Sequence, residues 1–304
     1  MATVGLVGLG LLGHAVASRL RAGGHAVVGH DVVPERVGAL VSLGGTAAGS
    51  AAEVARVSEA VCTLLPSLAT VEEAILGEQG ILAGARPGHT VIQMSTISPG
   101  LTERLARETA GRGLAFLDAP ISGTSAMVAR GEGLILLGGD PAVVDRWRPV
   151  LETVLRTVRV GAPGQAMVVK LAANLLVALN TAAAAEALLM TQKAGLDPDV
   201  VLEILTGGAA SSRMLEVRGP LIIRRHFPAQ MKLELFMKDL HLIQDAAATV
   251  GAPLPLTDVA ARLYAAADAG GHGAEDLSVV VTALEALARG TSGEGSARGP
   301  AVDL

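Results

Sequence analysis

Two groups of residues in this sequence carry spacings that could do chemistry. The first is Gly8-Leu9-Gly10-Leu11-Leu12-Gly13, a GxGxxG pattern between an apolar run and an amphipathic one. In such a loop Gly8 permits the tight turn, Gly10 lets the backbone approach a diphosphate, and Gly13 lets the following helix pack on the sheet. The start of that helix offers free N–H groups and a positive dipole end to the same diphosphate. In a chain with 37 glycines the spacing alone is a weak signal. Asp31, 23 positions beyond Gly8 at the end of a second apolar run, strengthens it. Its carboxylate would accept hydrogen bonds from the adenosine ribose hydroxyls and repel a 2′-phosphate, so the expected cofactor is NAD in preference to NADP. Arg36 could reverse that by pairing with a phosphate; a solvated helix charge is its ordinary reading.

The second group centres on Lys170 and Asn174. They stand four apart in a helix-patterned apolar run with Val168, Val169, Leu171, Leu175 and Leu176, so both project from one face. A lysine there is either an edge residue snorkelling to water or a buried amine of lowered proton affinity. Beside a substrate hydroxyl, the buried form can exchange a proton at neutral pH. Without context the snorkelling case is the commoner one. Two segments shift the balance: Asp118-Ala-Pro-Ile-Ser-Gly123 and Ser95-Thr96 each follow a predicted strand end, where open α/β sheets bind ligands.

Positioning these residues takes two kinds of architecture. Short Val-, Leu- and Ile-rich runs predict strands over 3–7, 26–29, 60–65, 90–94, 114–117, 133–138 and 157–160. Helical patterns over 11–21, 34–43, 70–76, 101–110 and 141–155 alternate with them, which implies a parallel sheet covered on both faces. From Gln165 onward the pattern is helical: 165–194, 198–205, 233–250, 255–269 and 275–288, with Gly195, Gly251 and Gly270-Gly271 as stops. The expected fold is an α/β Rossmann-type N-terminal domain followed by an all-α C-terminal domain, joined by a long helix. The boundaries read as 1–161 and 162–289, with a disordered Gly-, Ser- and Pro-rich tail over 290–304. The site would lie between the domains.

Composition narrows the function classes. Of 304 residues, 50% are hydrophobic and 17% charged, which excludes a disordered chain. A net charge of −5 gives no basic footprint for nucleic acid or an anionic membrane. Lys170 and Glu186 inside the long apolar run argue against a membrane span. One cysteine, Cys62, excludes an intramolecular disulfide and fits a reducing, cytoplasmic compartment; within a strand pattern it reads as a buried, inert thiol. Seven scattered histidines form no metal motif, so no metal is expected. His14 reads as solvent-facing and His30 as a strand end. Arg213, in a predicted loop, is a surface arginine or a contact to a second substrate carboxylate, and Met127, Met214 and Met237 read as core filler.

Taken together, the Gly8–Gly13 loop, Leu65-Pro66, Ser95-Thr96-Ile97-Ser98-Pro99, Asp118–Gly123, Lys170–Asn174, Gly195-Leu196-Asp197 and Lys238-Asp239-Leu240 resemble the β-hydroxyacid dehydrogenases in order and spacing to about Ala288. That family includes 3-hydroxyisobutyrate dehydrogenase and is related to 6-phosphogluconate dehydrogenase. The resemblance implies hydride transfer between NAD and a small β-hydroxy acid or its semialdehyde. It makes Lys170 the acid/base and has Asn174 orient the reacting group. Ser122 and the Gly123 backbone would hold the substrate carboxylate. Thr96 would lie near substrate and nicotinamide, Leu65 and Pro66 would line the cofactor, and Lys238 would close the site.

Three positions depart from the family pattern. Thr124 replaces the second glycine of SGG and puts a side chain beside the carboxylate site. Ala173 replaces the first asparagine of K-x-x-N-N, which points to a less polar or larger group at C2 or C3. Met231 replaces an aromatic. The apolar Ala-rich helix leaves surface to cover, so a homodimer or homotetramer is expected. Two rivals remain at this stage: an imine reductase-type NAD(P)H enzyme, whose members usually carry Asp or Tyr in place of Lys170, and a non-catalytic nucleotide-binding module, which would have lost the lysine.

Overall fold

The computed structural model describes residues 1–290; the tail expected over 290–304 lies outside the described residues, apart from Gly290. Two compact units divide between Ala173 and Asn174, within one continuous helix. In chain order the first unit holds β1 (Thr3–Val7), α1 (Leu11–Ala22), β2 (Ala26–His30), α2 (Pro34–Ser42), β3 (Thr46–Ala47), α3 (Ala51–Val57), β4 (Ala60–Thr63), α4 (Leu68–Leu76), α5 (Ile81–Gly84), β5 (Thr90–Gln93), α6 (Pro99–Gly111), β6 (Ala115–Asp118), β7 (Ile121–Ser122), α7 (Ser125–Ala129), β8 (Leu134–Gly139), α8 (Pro141–Leu151), β9 (Arg156–Gly161) and the start of α9 (Gln165–Lys193).

The strands form one sheet in the order β3-β2-β1-β4-β5-β6-β8-β7, with β9 on β8. Side chains alternate between two cores, one per face: Val4, Leu6, Cys62, Ile92 and Leu117 on one side, Val7, Val61, Val91 and Phe116 on the other. From β3 to β6 the sheet is parallel, as the βα alternation requires. Beyond β6 the sheet becomes mixed: β8 runs antiparallel to both β6 and β7. The chain reaches β8 through two-residue β7 and five-residue α7, in place of the longer helices that join the parallel strands. β9 then pairs with β8 in parallel after α8.

The second unit contains the rest of α9, then α10 (Pro198–Gly207), α11 (Arg213–Arg224), α12 (Leu233–Thr249), α13 (Pro255–Ala267) and α14 (Val281–Gly290). A π turn over Asp268–His272 and a 3-10 turn over Leu277–Val280 precede α14. Among its described residues the only β pairing is an isolated Lys232–Asp276 bridge. By length and composition α9 could cross a membrane, but Ala178, Ala182, Ala185 and Leu188 pack into this unit's core with Phe236, Leu240 and Tyr264. The loop expected around Arg213 is instead helix α11. It carries Gly219 and Pro220 in its interior, yet Leu215, Arg218, Gly219 and Ile222 are buried, and any Cβ on Gly219 would lie 2.5 Å from Leu202. Tertiary packing overrides local propensity there. The buried Arg218 guanidinium pairs with the buried Asp276 carboxylate at 2.9 Å.

Candidate active site

The C-terminal ends of the parallel strands gather most of the residues singled out in the first unit. The strand order reverses between β1 and β4, the switch point where such sheets open a crevice. Gly8, directly after β1, has φ +95°, and a Cβ on it would collide with the Leu64 carbonyl. A Cβ on Gly13 would collide with the Gly8 carbonyl oxygen, whereas one on Gly10 meets nothing within 4 Å. Two glycines are therefore demanded by the fold, and the third leaves open space. Helix α1 starts at Gly10 with no side-chain cap and no acid in its first turn, so its amides face that space without a local anion. Leu11 is 77% exposed beside it. This arrangement fits a dinucleotide diphosphate.

Asp31 follows β2. Its Oδ2 accepts the Leu9 N–H at 2.7 Å, which ties the acid to the glycine loop, and its Oδ1 accepts the Val33 N–H at 2.9 Å. Arg36, expected as a solvated charge, is half exposed but pairs with Asp31 at 3.3 Å. On the other side of β1, Leu65 donates its N–H to Ser95 Oγ at 2.8 Å, so the Leu65-Pro66 and Ser95-Thr96 loops are joined. Gln93, fully buried at the end of β5, secures this junction. Its Oε1 accepts from Thr63 Oγ1 and the Ser95 N–H, and its Nε2 donates to the Ser95 carbonyl. In the sequence Gln93 is visible only as an amide closing an otherwise apolar strand.

Lys170 lies on α9 and is 9% exposed, so it is a buried side chain and not an edge residue reaching water. Asp118 ends β6 fully buried and holds the first turn of the same helix. Burial pushes its carboxyl up to about 7, against the pull of two backbone N–H bonds. Ser122 closes β7, and Gly123 follows with φ +155°. The Thr124 hydroxyl is used locally: it accepts the Met127 N–H at 3.3 Å and caps α7.

In the helical unit Asn174 is 5% exposed, one turn along α9 from Lys170. Its Nδ2 donates to Asp239 Oδ2 at 2.7 Å, and Asp239 Oδ1 lies 3.0 Å from Lys238 Nζ. Asp239 thus fixes the amide orientation of Asn174, a role that the Lys238-Asp239 pair does not reveal in the sequence. Arg213 pairs with Glu216 at 2.9 Å and is 59% exposed, a surface arginine at the start of α11. Met231 is half-buried and donates its N–H to Asp276. Burial pushes the Cys62 thiol up to about 12, so it is not a nucleophile. Among the described residues no cluster of three or more His, Cys, Asp or Glu could hold a metal.

Comparison with known proteins covers both units. Residues 3–161 match the family model for the NAD binding domain of 6-phosphogluconate dehydrogenase, and residues 164–284 match the NAD-binding model of NADP-dependent 3-hydroxyisobutyrate dehydrogenase. The chain is 37% identical over 286 residues to 2-hydroxy-3-oxopropionate reductase of Escherichia coli, spanning 94% of this chain and 98% of that protein. It is 35% identical over 280 residues to L-threonate dehydrogenase of Cupriavidus necator, spanning 91% and 94%. A crystal structure of 3-hydroxyisobutyrate dehydrogenase from Salmonella typhimurium matches with a TM-score of 0.85 at 33% identity, covering 93% of this chain and 99% of that one.

Proposed function

The chain belongs to the β-hydroxyacid dehydrogenase family and is an NAD(P)-dependent oxidoreductase acting on CH–OH groups; from that premise we propose that it interconverts a small β-hydroxy acid and its semialdehyde, with Lys170 as the acid/base. The observation that supports this most is the burial of Lys170 on an apolar helix one turn before Asn174. The glycine loop, Asp31 and Leu65-Pro66 hold the dinucleotide, which when bound supplies the hydride chemistry. In the oxidative direction Lys170 Nζ takes the substrate hydroxyl proton; in the reductive direction it returns that proton to the carbonyl oxygen. Asn174, fixed by Asp239, orients the oxygen that changes protonation. Ser122 Oγ and the Gly123 N–H hold the substrate carboxylate, and Thr96 lies beside the reacting carbon. NAD is preferred over NADP because Asp31 stands where a 2′-phosphate would come.

The relatives act on 2-hydroxy-3-oxopropionate and L-threonate by name, so the substrate class is a small polyfunctional acid. Ala173 adjusts it toward a less polar or larger C2 or C3 substituent. Exposed Leu176, Met190, Leu196, Val200 and Ile204 on the helical unit support a homodimer or homotetramer, which analytical ultracentrifugation reads directly.

The test is NADH oxidation against a panel of 2-hydroxy-3-oxopropionate, other small semialdehydes and cyclic imines. Turnover of a semialdehyde is expected; turnover of cyclic imines alone would move the chain to an imine reductase function. Lys170→Ala should cut kcat by about 10²–10⁴-fold with NADH affinity unchanged. A variant turning over at the wild-type rate refutes the assignment.

A further inference from the structure

Asp118 has no task in the reading above, yet it is the only acid of the first unit with no exposed surface. A buried carboxylate is costly unless specific partners offset its desolvation. Its partners are specific. Oδ2 accepts the N–H of Gly164 at 3.0 Å and the N–H of Met167 at 3.1 Å, while Oδ1 has no hydrogen-bond partner. Those two amides open α9, the helix that carries Lys170.

A helix start needs an acceptor for its first amides, and the residue before the first turn normally supplies it from its own side chain. Here that residue is Gly164, with φ +92°, a conformation that suits glycine and leaves no side chain to cap with. The capping oxygen comes instead from a strand 46 positions earlier. Asp118 is also the β-sheet partner of Gln93, which clamps the Leu65 and Ser95 loops. Lys170 follows Met167 by three residues, on the same helix face and about 4.5 Å further along the axis.

We propose that Asp118 is a positioning residue: as a cap supplied from the sheet, it sets the height and rotation of α9 against the strand ends and so aims the Lys170 amine. This rests on the reading of Lys170 as the acid/base. Two helix-opening amides buried without an acceptor are costly, which explains an oxygen-bearing side chain here in place of an apolar one.

The test uses the full-length protein as Asp118→Ala, Asp118→Asn and Lys170→Ala. Hydrogen exchange of the Gly164 and Met167 amides is read without substrate, and steady-state kinetics are read with NADH and 2-hydroxy-3-oxopropionate. In Asp118→Ala those two amides should exchange roughly 10-fold faster, with strand β1 still protected. Its kcat should fall about 10–100-fold with KM for NADH unchanged, as expected for a misplaced reacting group. Asp118→Asn keeps an acceptor oxygen and should recover both protection and kcat to within about 3-fold of wild type. Wild-type exchange at Gly164 and Met167 in Asp118→Ala, or wild-type kcat despite faster exchange, overturns the proposal. So does an Asp118→Asn variant that keeps both amides protected but turns over as slowly as Asp118→Ala. If Asp118→Ala does not fold, Asp118→Glu replaces it: its longer side chain should keep the amides protected and still lower kcat, and unchanged kcat overturns the idea. An inactive Lys170→Ala beside a fully active Asp118→Ala sinks the positioning role alone; an active Lys170→Ala sinks the acid/base reading and this proposal with it.

Discussion

Asp31 combines local bonds with the proposed role at the cofactor ribose. Its oxygens hold the Leu9 and Val33 amides at 2.7 and 2.9 Å, while Arg36 reaches them at 3.3 and 3.4 Å. The Arg36 side chain is 50% exposed, so that ion pair contributes little and can yield to ribose hydroxyls. Asp31→Ala should therefore lower kcat/KM with NADH by about 10–100-fold, the cost of leaving ribose hydroxyls unpaired. It also frees Arg36 for a 2′-phosphate, so the NADPH-to-NADH efficiency ratio should rise. Cofactor competition assays measure that ratio, and equal use of both by the unmodified protein contradicts the preference argued from Asp31.

At the scale of elements, the glycine loop separates fold from binding. Gly13 sits where a Cβ would meet the Gly8 carbonyl, so it holds α1 against the loop; Gly10 faces open space. Gly13→Val should lower Tm by several degrees, through a backbone collision of about 1–3 kcal/mol. Gly10→Val should melt as wild type but lose the upward Tm shift that saturating NADH gives. Thermal melts with and without NADH check both, and an intact NADH shift in Gly10→Val would show that the dinucleotide does not approach there. Helix α11 makes the complementary point: a loop was expected around Arg213, while Leu202 packed against Gly219 and the buried Arg218 hold a helix in place.

Across the whole molecule, the two units bury acids of opposite behaviour. Asp276 is held below its usual value: desolvation pushes it up, but Arg218 and the Ser278 bonds outweigh that. Its contribution is therefore complete at neutral pH and is lost as the pH falls from the ordinary carboxylate value of 3.8 through the lower folded-state value. Asp118, raised to about 7 by burial, acts the other way: its ionisation penalises the folded state above that pH, and the penalty fades as the pH drops toward 3.8. Asp276→Asn should destabilise the protein at pH 7 by about 3–5 kcal/mol, because Arg218 is left buried without its counter-charge. It should also flatten the loss of stability below pH 4. Denaturant melts at pH 7 and pH 3 read both effects; unchanged stability at pH 7 contradicts the account.

The sequence alone determined what local spacing encodes. A short apolar run placed β1 at Thr3–Val7 and helical periodicity placed most of α9, because those patterns report which residues avoid water. The GxGxxG spacing with Asp31, and Lys170 four residues before Asn174, were legible for the same reason: each lies within one turn or one βαβ unit. Antiparallel β8 was not, since pairing direction depends on how a short segment returns to the sheet and not on its composition. Nor were the long-range bonds around the candidate site. Asp118 reaches Gly164 across 46 positions, and Asn174 reaches Asp239 across 65. Only packing brings such residues within 3 Å, so the tertiary structure alone decided which buried acid caps a helix, which holds an amide and which pairs with an arginine.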